Sequence, residues 1–274
     1  MSIMQTNLKI GASVPARVLH IADTHLVRAD LRDGERKVRL SRERSPIFPQ
    51  AEETLANAMA LAAAEKLPIL HAGDLIDFVS VANLEAVRQF TDTCDCFLAA
   101  GNHEFSLYVG EAVEDAAYRN QSLGAVQDVF RNDIRASARV IGGVNFVALD
   151  NGYYLFEQEQ LAFLKAEVAR GLPVVLLLHT PLYEPRLYER MMQNGTCAYL
   201  VAVPEAGMQG YSAHRYAQQR ADVVTLETVE YIHRTASIKA ILAGHLHFNY
   251  EGVVGDRIPQ IITSCTDLRI VTFD

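Results

Sequence analysis

Six short apolar runs, each closing on a small polar turn, set the limits on how this chain folds. They are "RVLHIAD" (17–23), "PILHAGD" (68–74), "CFLAAGNH" (96–103), "NFVALDN" (145–151), "VVLLLHT" (174–180) and "KAILAGH" (239–245). Each is a stretch of almost unbroken hydrophobicity, the pattern of a strand buried on both faces. Helical periodicity fills the intervals. Residues 50–66 put Leu55, Met59 and Ala62 on one face, and residues 157–170 put Leu161, Leu164 and Val168 on another before stopping at Gly171-Leu172-Pro173. A third helix is predicted over 225–235. Strands alternating with helices predict an α/β fold. Residues 249–273 read as short strands between turns, with no room for helices, and predict an antiparallel addition to the sheet.

A length of 274 residues fits one large α/β domain, and no repeat, low-complexity tract or linker divides it. Residues 1–274 are therefore read as a single domain carrying two surface insertions near the strand ends. One, near 27–49, is charged; the other, near 183–222, contains Gly195, Pro204, Gly207 and Gly210. The formal net charge of -8 argues against a general phosphate-backbone binder, so a large nucleic acid is not an expected partner. Residues 28–44 run against that balance, with Arg28, Arg32, Arg36, Lys37, Arg39, Arg42 and Arg44 facing Asp30, Asp33, Glu35 and Glu43. Such a segment either overhangs a site and draws an anionic substrate or forms an ion-paired, solvated face. The four cysteines, Cys94, Cys96, Cys197 and Cys265, lack the spacing of a zinc or redox motif and read as reduced thiols of a cytoplasmic protein. No stretch reaches the ~18 apolar residues of a membrane span, and the first residues contain no signal-peptide core.

The chemistry is concentrated where the apolar runs stop. The first ends in Asp23-Thr24-His25, the second in Gly73-Asp74 with Asp77 close behind, and the third in Gly101-Asn102-His103-Glu104. The fifth ends in His179 and the sixth in Gly244-His245-Leu246-His247. In open α/β sheets, ligands sit outside the carboxyl ends of strands. Taken singly, such an aspartate caps a turn and such a histidine is structural. Together, these segments deliver carboxylate, imidazole and amide donors to one rim. That set suits Mn²⁺, Fe, Zn²⁺ or Ni²⁺ better than a thiolate structural site. It also exceeds what one catalytic ion needs, which points to two ions sharing a ligand. A carboxylate bridges most comfortably, and Asp74 is central in the order.

The series Asp23-x-His25, Gly73-Asp74, Gly101-Asn102-His103-Glu104, His179 and Gly244-His245-x-His247 resembles the calcineurin-like metallophosphoesterases, over about residues 17–265. The resemblance implies a four-layer α/β/β/α sandwich of two mixed sheets flanked by helices, with a dinuclear centre at the sheet edge. By carry-over, Asp23, His25 and His247 would hold one ion, and Asn102, His179 and His245 the other, with Asp74 between them. Mn²⁺ heads the expected metals. His103 would assist the leaving group or orient the phosphate, with Glu104 as the group to hold its imidazole. The one-residue gap lets His245 and His247 face different ions, and Gly244 would free the backbone to make that turn.

The activity so implied is metal-dependent phosphoester hydrolysis. Two ions ~3.5–4 Å apart lower the pKa of a bridging water and supply hydroxide near neutral pH. The expected substrate is small and phosphorylated, a nucleotide or other phosphodiester, the basic insertion favouring a diester over a monoester. The alternative is a non-catalytic protein-interaction module on the same scaffold. A mononuclear hydrolase lacks an HExxH signature and would leave Asn102 without a role. Purple acid phosphatases supply a tyrosine shortly after the second-block aspartate, but "GDLIDF" (73–78) has none, and Asp77 is read as supporting a ligand or capping a turn. His20 and His71 are read as core residues, His214 and His233 as surface ones, and Asp150-Asn151 as a turn. Tyr183, Arg186, Tyr188 and Arg190 are candidate substrate contacts.

Overall fold

The computed structural model describes residues 2–110, 113–193 and 195–274. The strands of the first part of the chain are β1 (Ile3–Leu8), β2 (Ala16–Ile21), β3 (Ile69–Ala72) and β4 (Cys96–Ala99). Then come β5 (Ala136–Ile141), β6 (Val144–Leu149), β7 (Val174–Leu177) and β8 (Ile238–Ala243), followed by β9 (Tyr250–Val254), β10 (Ile258–Ile262) and β11 (Leu268–Phe273). They form a five-stranded sheet in the order β1-β11-β2-β3-β4 and a six-stranded sheet in the order β5-β6-β7-β8-β10-β9. Both are mixed: β2, β3 and β4 are mutually parallel with β11 antiparallel to β2, while β5 and β9 are antiparallel edges on the parallel set β6-β7-β8-β10.

The unbroken hydrophobicity of the runs follows from this layering. Successive side chains of a strand point to opposite faces. In β7, Val175 and Leu177 pack into the cluster between the sheets with Val18, Leu70, Phe97 and Phe146. The alternate residues Val174 and Leu176 pack with Leu164 and Ile232 of the helices Gln158–Val168 and Val223–Arg234. In β2, Val18 faces the other sheet, whereas Leu19 and Ile21 meet Leu55 of the helix Ala51–Glu65 and Phe90 of Val81–Thr93. Helix, sheet, sheet and helix give the four layers. Each side chain sealed in this way contributes ~1.5–3 kcal/mol.

All six runs are strands and all three predicted helices are present, with ends shifted by a few residues. Two strands escape the sequence pattern. β1 buries only Thr6, and β5 is a half-exposed edge turned onto β6 through Gly142 and Gly143, both in the left-handed region at φ 56° and 79°. The antiparallel addition predicted for the end of the chain is seen in β9 against β10 and in β11 against β2, but it is divided between two sheets. β10 lies parallel to β8, and β11 crosses to the other sheet between β1 and β2. The reason is burial. Leu268 and Ile270 of β11 pack toward the helices and Val271 and Phe273 toward the second sheet, so β11 fits only inside a sheet.

The 27–49 segment contains the short turn Leu31–Asp33 and the helix Gly34–Arg44, largely exposed. The 183–222 segment contains Pro185–Met192 and Ala213–Gln219. Among the described residues, no helix is long and apolar enough to cross a membrane.

His20 and His71 are fully buried, the first hydrogen-bonded to Thr263 Oγ1 (2.9 Å) and the second to Thr24 Oγ1 (2.8 Å). Burial lowers His71 from 6.5 to about 3 and holds His20 well below the ordinary histidine range. A histidine with a depressed folded pKa takes up its proton only on unfolding. Its contribution is intact above the unfolded value of 6.5 and is lost as pH falls toward the folded one. The urea midpoint of the metal-free protein is therefore expected to fall steadily from about pH 6.5 to about pH 4. Replacing both histidines with glutamine should reduce that slope, the remainder coming from His25, His245 and His247, which burial also lowers. An unchanged slope would mean that His20 and His71 do not contribute to it.

Candidate metal centre

Main-chain pairing continues past the strand ends and sets the rim. The amides of Asp23, His25 and Leu26 donate to the carbonyls of Gly73 (3.0 Å), Asp74 (2.9 Å) and Leu75 (2.9 Å). This zips the loop after β2 to the loop after β3. Asp23, His25, Asp74, His245 and His247 all lie in the left-handed region, with φ between 50° and 71°. Each such non-glycine residue costs ~1–3 kcal/mol and persists only where its surroundings over-determine it. Gly244 does not make the turn, contrary to the sequence expectation; the histidines on either side of Leu246 make it themselves. A side chain at Gly244 would come within 2.6 Å of Ala22 Cβ and 2.8 Å of Asp23 Oδ2. The glycine allows the two sheets' loops to approach closely.

The structure brings together all seven of the side chains singled out by the sequence. Asp74 Oδ2 is 3.6 Å from His25 Nε2 and 3.2 Å from His179 Nε2. On one side, His25 Nε2 is 3.0 Å from His247 Nε2, which is 3.9 Å from Asp23 Oδ1. On the other, His179 Nε2 is 3.0 Å from His245 Nδ1 and 3.2 Å from Asn102 Oδ1. Potential ligand atoms of Asp23, His25 and His247, and separately of Asp74, His179 and His245, all lie within 4.8 Å of one another.

The partners of these groups decide whether cations fit. His25 Nδ1 faces the Asp77 carboxylate (3.1 Å) and His179 Nδ1 the Ala72 carbonyl (2.8 Å), acceptors that place the proton on Nδ1. The lone pair of each Nε2 then points into the centre. Around His179 Nε2 stand two acceptors, Asp74 Oδ2 and Asn102 Oδ1, a cluster that favours positive charge at this point, whether a proton on Nε2 or a metal ion in its place. Asp23 Oδ2 is buried without any hydrogen-bond partner. A bare carboxylate oxygen in the interior is costly unless an ion satisfies it. The residues fit two divalent ions.

The charges bear the same mark. Burial raises Asp23 to about 6 against the pull of His247 and His179. Burial also opposes the charge of Asp74, yet His179 and His103 together hold it well below the carboxylate range. Burial disfavours a charged His103, but Asp74 and Asp77 carry it up to about 10, and Asp74 likewise raises His179 to about 9.

A family profile described as calcineurin-like phosphoesterase matches residues 16–249. The chain belongs to that family. This phosphoesterase is therefore a phosphoric ester hydrolase of a family that uses a dinuclear divalent metal centre, for which the two ligand sets are the candidates. No curated relative matches the sequence. Similar solved structures include a dimetal phosphatase from Danio rerio, 16% identical over 92% of this chain and 88% of that one, with a TM-score of 0.49. A phosphopantetheinyl hydrolase from Mycobacterium tuberculosis is 12% identical over 92% and 90% of the two chains, with a TM-score of 0.44. A 5'-nucleotidase from Candida albicans is 14% identical over 96% of this chain with a TM-score of 0.46, and the phosphoesterase spans only 47% of its length.

Around the centre, several supports differ from the sequence reading. Glu104 does not hold the His103 imidazole. Its fully buried carboxylate accepts hydrogen bonds from the amides of Gly101 (2.6 Å), Asp74 (2.8 Å) and Leu75 (2.7 Å), clamping two rim loops together. Asp77 takes the role given to Glu104. Its carbonyl accepts from His103 Nδ1 (2.7 Å), and its carboxylate lies 3.2 Å from the same nitrogen while also facing His25. Arg44 closes the other side of that carboxylate through Nε at 2.6 Å and Nη2 at 2.9 Å. The 27–49 segment also sends Phe48 to stack on His25, with ring centroids 4.0 Å apart.

Asn151, read as a turn residue, anchors the His179 loop; its Oδ1 accepts from the amides of His179 (2.9 Å) and Thr180 (3.1 Å). The Tyr154 hydroxyl meets His245 Nε2 at 3.0 Å, and Glu114 Oε1 accepts from Asn102 Nδ2 at 3.2 Å, turning the amide oxygen toward His179. Neither was foreseen, because nothing local in the sequence ties them to residues so far away. An open cavity of about 380 Å³ leads to the centre, lined by candidate ligands and His103 together with Glu114, Met191, Tyr199 and Arg215. Tyr183, Arg186, Tyr188 and Arg190 do not line it. Arg190 stacks on Phe248 at 3.9 Å, and Tyr188 donates to the Gly207 carbonyl at 2.7 Å.

Proposed function

We propose that this phosphoesterase hydrolyses small phosphate esters at two divalent ions. Asp23, His25 and His247 would hold one, and Asn102, His179 and His245 the other, with Asp74 shared. The observation that carries the reading is the position of Asp74 Oδ2, 3.6 Å and 3.2 Å from the inward nitrogens of the two sets. A donor set without thiolate favours Mn²⁺, with Fe, Zn²⁺ and Ni²⁺ as alternatives. Bound there, the ions would activate water and offset charge on the phosphoryl oxygens. The protein's own groups do the positioning. Asp77 and the Ala72 carbonyl fix the tautomers of His25 and His179, and Tyr154 and Glu114 orient His245 and Asn102. His103 keeps its Nδ1 proton on Asp77, so Nε2 is the nitrogen left to pass a proton to a departing alkoxide.

The preference for a diester rested on the basic segment, and most of its arginines are engaged. Arg28 pairs with Glu52 at 2.5 Å, Arg32 with Asp30 and Glu85 at 2.6 and 2.5 Å, and Arg44 with Asp77 at 2.6 Å, while Arg36 lies 3.7 Å over the Tyr108 ring. The choice between esters therefore passes to the cavity wall. We read the chain as one domain, with 27–49 and 183–222 as insertions that cover the centre. The unpaired state of all four cysteines supports a cytoplasmic location.

The direct test measures bound metal together with turnover of 4-nitrophenyl and bis(4-nitrophenyl) phosphate. Two equivalents of metal with hydrolysis support the proposal. One equivalent, or no turnover with Mn²⁺, Zn²⁺ or Fe²⁺, overturns it. His103→Ala is expected to keep both ions while slowing esters with alkyl leaving groups about a hundredfold, and nitrophenyl esters far less. Loss of metal instead would place His103 among the ligands, since its ring also lies near His25 and Asp74.

A further inference from the structure

We infer that Arg215 selects the substrate by charge, and that the substrate carries its phosphate as a monoester dianion. The inference rests on the proposed function and deepens it. Arg215 belongs to the helix Ala213–Gln219 and lines the same cavity as His103 and His245. Its guanidinium lies 5.0 Å over the Tyr199 ring, and that ring in turn stands edge-on to His245 with centroids 6.0 Å apart. Nη1 donates to Gln218 Oε1 at 2.7 Å. Stack and amide hold the group in place before any ligand arrives.

What this arginine lacks is an anion. Arg28, Arg32, Arg44, Arg119, Arg135, Arg139 and Arg269 each have a carboxylate within ion-pair distance. Among the described residues, Arg215 has none, nor do Arg42, Arg88, Arg186, Arg190, Arg220 and Arg257, but of these Arg215 is the one that lines the cavity, half-buried. The nearby carboxylate of Glu114 feels its charge but is committed to Asn102 and Gln218. A partly desolvated guanidinium in a cavity that also holds the candidate metal ligands is a preformed receptor for negative charge.

The chemistry of the two ester classes then decides between them. A phosphomonoester is close to a dianion at neutral pH, its second pKa being ~6. A diester carries one charge and replaces an ionised oxygen with an ester arm. Placed against Arg215, the diester forfeits a charge-assisted hydrogen bond and leaves the guanidinium half-buried and unmatched. Discrimination of this kind is strong because the penalty falls on the unpaired protein group.

The test uses the Mn²⁺-loaded protein and two substrates with one leaving group, 4-nitrophenyl phosphate and bis(4-nitrophenyl) phosphate. Wild type should favour the monoester in kcat/KM. Arg215→Ala should lose ten- to a hundredfold on the monoester, at roughly the worth of one charged hydrogen bond, and much less on the diester, collapsing the ratio. Arg215→Lys should recover part of it. Metal content should stay at the wild-type value. If the alanine variant fails to fold, Arg215→Gln takes its place. Equal losses on both substrates, or a wild-type preference for the diester, overturn the inference while leaving the hydrolase reading intact. If wild type turns over neither substrate, that reading fails first. Calorimetry of inorganic phosphate on the metal-loaded protein then decides the role of Arg215: weaker binding in the variant supports it, and equal binding ends it.

Discussion

Asp74→Ala is expected to yield a folded protein that retains neither ion at micromolar metal and whose turnover falls by at least about 10⁴-fold, a large share of the 10⁶ or more typical of enzymes. The size of the effect follows from position. Asp74 Oδ2 is the acceptor common to both ligand sets, and Asp74 Oδ1 accepts from the His103 amide at 2.9 Å. Truncation therefore would remove the proposed shared ligand and an anchor of the loop that presents Asn102. It also withdraws the negative charge that helps keep His103 protonated. Mass spectrometry under native conditions and kcat with Mn²⁺ would show the result. An alanine variant that still holds two ions and turns over at a tenth of the wild-type rate would rule out Asp74 as the bridge.

Glu104→Ala should destabilise the fold by several kcal/mol. The carboxylate is fully buried, and its two oxygens serve the amides of Gly101, Asp74 and Leu75. Each buried donor left without a partner costs ~1–3 kcal/mol, so the three together reach a sizeable fraction of a typical domain's stability. Burial, with the Asp74 charge, raises the Glu104 carboxyl to about 7. It remains there because the amides of two strained loops need an acceptor that water does not reach. Glu104→Gln, which keeps the volume but swaps one acceptor for a donor, should be intermediate. Urea unfolding of the three proteins in chelator would measure the order. A midpoint unmoved by the alanine substitution would show that the loops are held elsewhere.

Much of the site is legible in the sequence because strand exits are local features. An apolar run that stops on Asp-Thr-His or Gly-Asn-His announces both its own burial and the polar groups it delivers. The supports are not legible, because they depend on three-dimensional neighbours. Asp77 and Glu104 are both acidic residues a few positions after a strand, and composition offers no way to tell which one turns to His103. Asp77 supports the candidate ligand His25 as read, and also takes the His103 contact expected of Glu104. Arg44, Tyr154, Glu114 and Arg215 reach the centre from segments whose paths no periodicity dictates. Similarly, β11 reads as a strand, but its place in the sheet opposite β9 and β10 follows from where its two apolar faces find partners. Gly244 shows a subtler limit. A glycine beside a turn suggests conformational freedom, whereas this one is small because a loop of the other sheet passes against it.

The seven side chains are dealt from both sheets, Asp23, His25, Asp74 and Asn102 following strands of one and His179, His245 and His247 following strands of the other. The ions would thus act as a bolt through two plates, and the gap between the plates becomes a variable of the reaction. A small slip of one plate over the other would alter both coordination shells at once, with no ligand changed. Contacts deep in the seam, such as Phe146 of one sheet against Phe273 of the other at 5.3 Å, would then help to tune the chemistry from a distance. A drop in metal affinity in Phe273→Leu, with the rim intact, would register that leverage.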